Sequence, residues 1–142
     1  MRWALTHLDD IGQATWEHAV LVVVSVSVAF LISFAVGIWA SRQPRVYPPI
    51  MGITALLYTI PSLALFALLI PLVGLGRVPA IIGLVAYSLL ILIRNIATGL
   101  REVPADVVEA ALGMGMSSWQ LLVTIELPLA MPIIIAGLRI AT

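Results

Sequence analysis

From residue 19 to residue 40 the chain carries no charged side chain. At about 1.5 Å per residue, a run of roughly 20 apolar residues crosses the ~30 Å hydrocarbon layer of a bilayer. No water reaches the backbone there, so its N–H and C=O groups must pair within a helix. Two more uncharged runs follow, over about residues 50–72 and 78–93, and a fourth apolar run, interrupted by Arg139, begins at residue 128. The composition agrees: 62% of the 142 residues are hydrophobic and only 10% are charged. Mean hydropathy is +1.15. The fold expected is an all-α, polytopic transmembrane helical bundle, with residues 1–142 forming a single domain.

Several function classes are excluded or disfavoured at once. All seven basic residues are arginine, balanced by seven acidic ones. No basic patch argues for nucleic acid. A phosphate-binding Walker A loop requires lysine after its glycines, and lysine is absent. Any ATP hydrolysis therefore belongs to another polypeptide, and this chain is not expected to be an enzyme. Cysteine is also absent, which removes thiol chemistry. His7 and His18 are isolated, with no partner at metal-ligand spacing, so neither a metal nor another cofactor is expected. Asp9, Asp10 and Glu17 precede the first apolar run, unlike the basic-then-apolar order of a cleaved signal peptide, so that run reads as a retained helix.

Within the first span Ser25, Ala29, Ser33 and Gly37 recur every four residues, placing small side chains on one stripe. Such a stripe reads either as serines on a substrate path or, the commoner case, as a packing face for a close neighbouring helix with the hydroxyls bonded to their own helix. A short polar loop, Arg42 to Arg45, leads to the second span. Pro61 lies near that span's centre between Thr59-Ile60 and Ser62, where it removes a backbone hydrogen bond and is expected to bend the helix. The carbonyl it frees needs a neighbour or a water-filled cavity. Thr59, Pro61 and Ser62 are therefore candidates for lining a translocation path. The third span ends at Arg94-Asn95, and a polar segment over about 94–127 separates it from the fourth. The fourth run, 128–142, holds about 15 residues, too few for a comfortable crossing, so the chain reads as truncated after the polar segment.

Orientation follows from arginine. Arg42, Arg45, Arg94 and Arg101 fall on one side, Arg2 and Arg77 on the other. The excess favours a cytoplasmic polar segment, an N-terminus outside, and multi-pass insertion in the plasma (cell inner) membrane.

The polar segment has its own architecture. Pro104 suits a first helical position, and Asp106 complements the positive end of the helix dipole. Val107, Val108, Ala111 and Leu112 are spaced for one apolar face. Gly113 and Gly115 stop that helix, Gly115 in the usual position beyond a C-terminus. Ser117 and Gln120 fit a capping box that opens a second helix, and Pro128 marks a further corner. The sequence thus specifies helix, glycine corner, helix, proline corner, membrane.

The spacing Glu109-Ala110-Ala111, Gly115, Ile125, Leu127-Pro128 resembles the cytoplasmic EAA loop of ABC importer permeases. Further residues narrow the likeness. Tyr58-Thr59-Ile60-Pro61-Ser62-Leu63-Ala64, residues 82–95, Glu109 to Ser117, and Glu126-Leu127-Pro128-Leu129-Ala130-Met131-Pro132 are similar to the glycine betaine/carnitine/choline osmoprotectant permeases. The likeness runs from about residue 18 to residue 142. Tyr58 stands where those permeases often have glutamine, and Ile91 where proline is common. The resemblance implies the type I ABC importer permease fold. It also implies a separate ABC ATPase subunit, an extracytoplasmic substrate-binding protein and a second permease copy or paralogue. By the same resemblance, Glu109, Ala110, Ala111, Gly115, Ser117, Ile125, Leu127 and Pro128 would form the segment through which the ATPase moves the spans.

Single residues carry narrower expectations. Glu109 either pairs with a basic residue of the ATPase or holds the two loop helices together, the second being the commoner use of such a carboxylate. Arg139, about three turns into the fourth run, is expected to snorkel toward the interface. A quaternary ammonium ion would want an aromatic cage, and the four tryptophans are too scattered to form one. The alternatives are a permease for another small solute such as an amino acid, and a non-transporting membrane scaffold. An intramembrane hydrolase fails for want of paired Asp, or of Ser with His, inside the spans.

Overall fold

The computed structural model describes residues 8–142. Arg2 and His7, weighed above for orientation and metal binding, lie outside the described residues. The described chain is helical, with no strand. Its elements are α1 (Leu8–Arg42), α2 (Tyr47–Thr59), α3 (Ser62–Val73), α4 (Arg77–Arg101), α5 (Ala105–Gly113), α6 (Ser118–Leu121), a π-helical turn (Leu122–Glu126) and α7 (Leu127–Ala141). Three stretches are each long and apolar enough to cross a bilayer: α1, α4 and the run Ser118–Ala141.

α4 lies at the centre, packed against α1, α7, α2 and α3. The small-residue stripe of α1 is buried as a packing face: Ser25, Ala29, Ser33 and Gly37 are all inaccessible. A Cβ added at Gly37 would lie 2.7 Å from Ile96 Cγ2, so glycine is what lets α1 approach α4 this closely. On the other side of α4, a Cβ at Gly137 of α7 would fall 2.5 Å from Asn95 Cβ. The core formed between these contacts is Ile96, Leu100, Leu122, Ala130 and Ile134, with Phe30, Phe34 and Ile38 packed on it from α1. The two stripe hydroxyls differ from expectation. Ser25 Oγ and Ser33 Oγ have no hydrogen-bond partner, although Thr54, Ser88 and Ser41 do bond back to their own helices.

The second apolar run is broken rather than bent. α2 and α3 meet at 93°. Proline disfavours the helical region for the residue before it, and here Ile60 (ψ 123°) and Pro61 (ψ 136°) are both extended. Two consecutive extended residues end one helix and start another. The third span also differs. α4 continues past Arg94-Asn95 to Arg101, because the polar residues there occupy one side while Ile96, Ala97, Gly99 and Leu100 stay buried on the other. Asn95 satisfies its amide by donating to Ile91 O at 2.8 Å.

Outward-facing apolar side chains are numerous. Leu31 is 70% exposed and Leu63 82% exposed, a pattern suited to lipid rather than water.

Candidate functional site

The segment after α4 is built from strong local signals. Pro104 sits at the N-cap with ψ 134°, one position earlier than expected, and α5 begins at Ala105. Asp106 lies in the first turn. At the other end Gly115 adopts φ +84°, a left-handed conformation that strains any residue with a Cβ. Met116 N–H donates to Ala111 O (3.2 Å) and Gly115 N–H to Leu112 O (2.9 Å). Those two bonds are a Schellman motif, which satisfies the last carbonyls of α5 and fixes the exit of the chain. Gly113 is still helical, so Gly115 alone makes the corner. Ser117 then caps α6 through the full box: Gln120 N–H donates to Ser117 Oγ at 3.3 Å, and Ser117 N–H donates to Gln120 Oε1 at 2.9 Å.

The expected proline corner is absent. From Ser118 the backbone stays helical through a π turn at Leu122–Glu126 into α7. Leu127 N–H reaches back to Leu122 O, five residues away. Pro128 has no N–H to give the ladder, and the widened turn just before it takes up the missing bond while the backbone stays helical.

Two arginines join the helix ends here, and one of them, Arg42, reaches this segment. Arg42, the last residue of α1, makes a two-pronged ion pair with Glu126, Nη1 to Oε1 at 2.9 Å and Nη2 to Oε2. Glu126 is only 4% exposed, whereas the Arg42 side chain is 45% exposed. Arg101, the last residue of α4, donates from Nη2 to Ala40 O at 2.7 Å and from Nε to Ser41 O at 3.4 Å. Its guanidinium also lies 4.1 Å from the centre of the Tyr47 ring. The ends of α1, α2, α4 and α7 are thus joined at one end of the bundle. At the other, Arg77 pairs with Glu17 at 3.1 Å across an exposed contact.

Glu109 is not the internal carboxylate. It is exposed, and among the described residues it makes no ion pair or side-chain hydrogen bond; Glu126 holds the segment instead. The partner of Glu126 lies 84 residues away and could not be read locally. A usable signal did exist, since a carboxylate between Ile125 and Leu127 at a membrane boundary needs a cation. The expected apolar face of α5 is also incomplete. Ala111 is buried, but Leu112 is 50% exposed. Leu112, Met114 and Trp119, on either side of the glycine corner in sequence, are each uncovered apolar side chains, and Glu109 and Ala110 are exposed as well. Ile125 and Leu127 are half-buried, while Ser117 and Pro128 are exposed. Arg139 is exposed as well.

The break between α2 and α3 opens a second feature, a cleft of about 490 Å³. Thr59, Pro61 and Ser62 all line it, together with Tyr58, Tyr87 and Ser88. Carbonyls left by the break find partners: Ile60 N–H donates to Leu57 O, Thr59 Oγ1 to Leu56 O and Tyr87 OH to Ile60 O. The Tyr58 and Tyr87 rings stand 5.9 Å apart with planes at 78°. Attention to tryptophan alone missed this pair, whose members are separated by 29 positions on elements not visibly adjacent in sequence. Among the described residues no group of three or more His, Cys, Asp or Glu could hold a metal ion.

Comparison with known proteins converges on one family. Residues 29–142 match the family described as "Binding-protein-dependent transport system inner membrane component". The chain is 39% identical over 127 residues to the carnitine transport permease protein OpuCB of Listeria monocytogenes, covering 89% of this chain and 58% of that protein. It is 34% identical to the glycine betaine/carnitine/choline transport system permease protein OpuCB of Bacillus subtilis, covering 100% and 65% respectively. Against the osmoprotectant import permease protein OsmW of Salmonella typhimurium, identity is 37%, covering 99% of this chain and 68% of that protein. The chain thus spans roughly three-fifths to two-thirds of the length of these relatives. Membrane-spanning helices, the capped helical segment and these matches lead to one assignment: the chain belongs to the binding-protein-dependent transport system inner membrane component family.

Proposed function

We propose that this chain supplies the membrane pathway of an ATP-driven importer for small quaternary ammonium osmoprotectants of the glycine betaine, carnitine and choline kind. The names of its relatives suggest the cargo. One observation carries the mechanism: the uncovered apolar side chains Leu112, Met114 and Trp119 on a doubly capped helix pair with a glycine corner. Exposed apolar groups on an otherwise rigid knob suit a partner protein rather than water. That partner would be an ABC ATPase on the cytoplasmic side. The sidedness is supported by Arg42 and Arg101, which cluster at the knob's end of the bundle.

Displacement of α5 and α6 by the ATPase would pass along two connections. The Arg42–Glu126 pair links the knob to α1, and the unbroken run through the π turn links it to α7. α4, clasped between those helices, would follow. Access would then alternate between two states biased by nucleotide on one face and a loaded extracytoplasmic binding protein on the other. A second permease copy or paralogue would complete the path.

Co-purification tests the reading. The wild-type chain should recover an ABC ATPase, and both Gly115→Trp and Glu109→Lys should abolish recovery. Glu109 is exposed, so the lysine variant should fold normally. Recovery of the ATPase at wild-type levels by both variants would sink the assignment of the knob.

A further inference from the structure

The cleft at the α2–α3 break is unusual in what it lacks. No Asp, Glu, Lys, Arg or His lines it. Its hydroxyls at Thr59 and Ser88 donate to carbonyls of their own helices, at 2.7 Å and 2.8 Å. A strongly hydrated inorganic cation entering here would give up water with no carboxylate to offset its charge. What the cleft does offer is aromatic surface. Tyr58 is 50% exposed, and Tyr87 stands beside it with its plane nearly perpendicular. The Tyr87 ring is anchored, because its hydroxyl donates to Ile60 O at 2.7 Å. One wall is therefore held in position before any ligand arrives, which lowers the ordering cost of binding.

Two rings at a steep angle suit a methyl-covered cation. A quaternary ammonium loses little hydration on leaving water and is attracted to ring faces within about 6 Å of the centroid. A volume of about 490 Å³ is ample for a small solute of this class. We propose that Tyr58 and Tyr87 form a quaternary-ammonium site within the permease itself, choosing the cargo by cation–π attraction at the broken helix. The proposal rests on the importer reading above and adds the residues that recognise the substrate. With no carboxylate in the lining, the site is weak enough to release what it admits, as a transport path requires.

The test uses the importer assembled around this chain in lipid vesicles, with radiolabelled choline and glycine betaine uptake as the readout. Tyr58 is the position to vary, since Tyr87 also anchors the break. Tyr58→Phe keeps the ring face and should transport within about twofold of wild type, whereas Tyr58→Leu should fall about tenfold. Phenylalanines bearing one, two and three fluorines at position 58 weaken the ring's negative face stepwise at nearly constant shape, so uptake should fall stepwise with them. Recovery of the ATPase should stay unchanged throughout. A flat fluorine series, or Tyr58→Leu transporting as fast as wild type, would overturn the site; the fluorine series decides even if the leucine variant assembles poorly. Failure of the underlying importer reading looks different, because the wild type itself would then recover no ATPase and accumulate neither solute.

Discussion

Arg42→Met is expected to destabilise the chain far more than removal of its partner. Glu126 is 4% exposed, so losing the guanidinium leaves a buried carboxylate without compensation. Stranding a buried charge typically costs 3–5 kcal/mol, and the half-exposed arginine end argues for the lower limit, about 3 kcal/mol. Glu126→Leu is milder. It frees an arginine whose side chain is already 45% exposed and can turn to water. That change should cost about 1 kcal/mol, the scale of a partly solvated pair. The double variant Arg42→Met/Glu126→Leu removes both charges and should cost about 1 kcal/mol, rather than the about 4 kcal/mol of two independent losses. Guanidinium titration of the purified chain in detergent, followed by tryptophan fluorescence, reads all three. Equal costs for the single variants, or an additive double, would show that Glu126 is not held buried by Arg42.

Other expectations follow from the packing. Gly37→Ala and Gly137→Ala should each lose about 1–3 kcal/mol, because their new Cβ atoms would meet Ile96 at 2.7 Å and Asn95 at 2.5 Å; Gly12→Ala, with nothing within 4 Å, should lose nothing in the same titration. Ser25→Ala and Ser33→Ala each delete a buried hydroxyl that has no partner, so each should leave the unfolding midpoint unchanged or raise it by up to about 1 kcal/mol in stability. Trp119→Asp alters a side chain 71% exposed on the knob; ATPase recovery should be lost while the unfolding curve stays within about 0.5 kcal/mol of wild type.

What could be read in the sequence was whatever depends on neighbours along the chain. The apolar runs announced membrane helices because hydrocarbon leaves the backbone no other partner within a short segment. The Ser117–Gln120 box and the turn at Gly115 were legible because caps are set by residues three to five positions apart. Pro61 announced a disturbance but not its size, since whether a proline bends or breaks a span depends on what receives the freed carbonyls. Here Tyr87, 27 residues from Ile60, is one receiver. The holding role considered for Glu109 falls to Glu126, which was not legible for the same reason, its partner lying 84 residues away. The unsatisfied Ser25 and Ser33 hydroxyls show that close packing against α4 can prevail over local hydrogen bonding. Pro128 misled because a π turn offers a proline a way to stay in line, and nothing in the residues around it marks that choice.

The chain has no cysteine, so Met114→Cys would introduce a single thiol at the tip of the knob, where the side chain is 73% exposed. A membrane-impermeant maleimide should label it only in inverted vesicles, and a short bifunctional crosslinker should join it to an ABC ATPase in a yield that changes when nucleotide is trapped. Labelling from the outer face, or a knob that crosslinks to no nucleotide-hydrolysing protein in an intact membrane, would contradict the coupling role on which the importer reading stands.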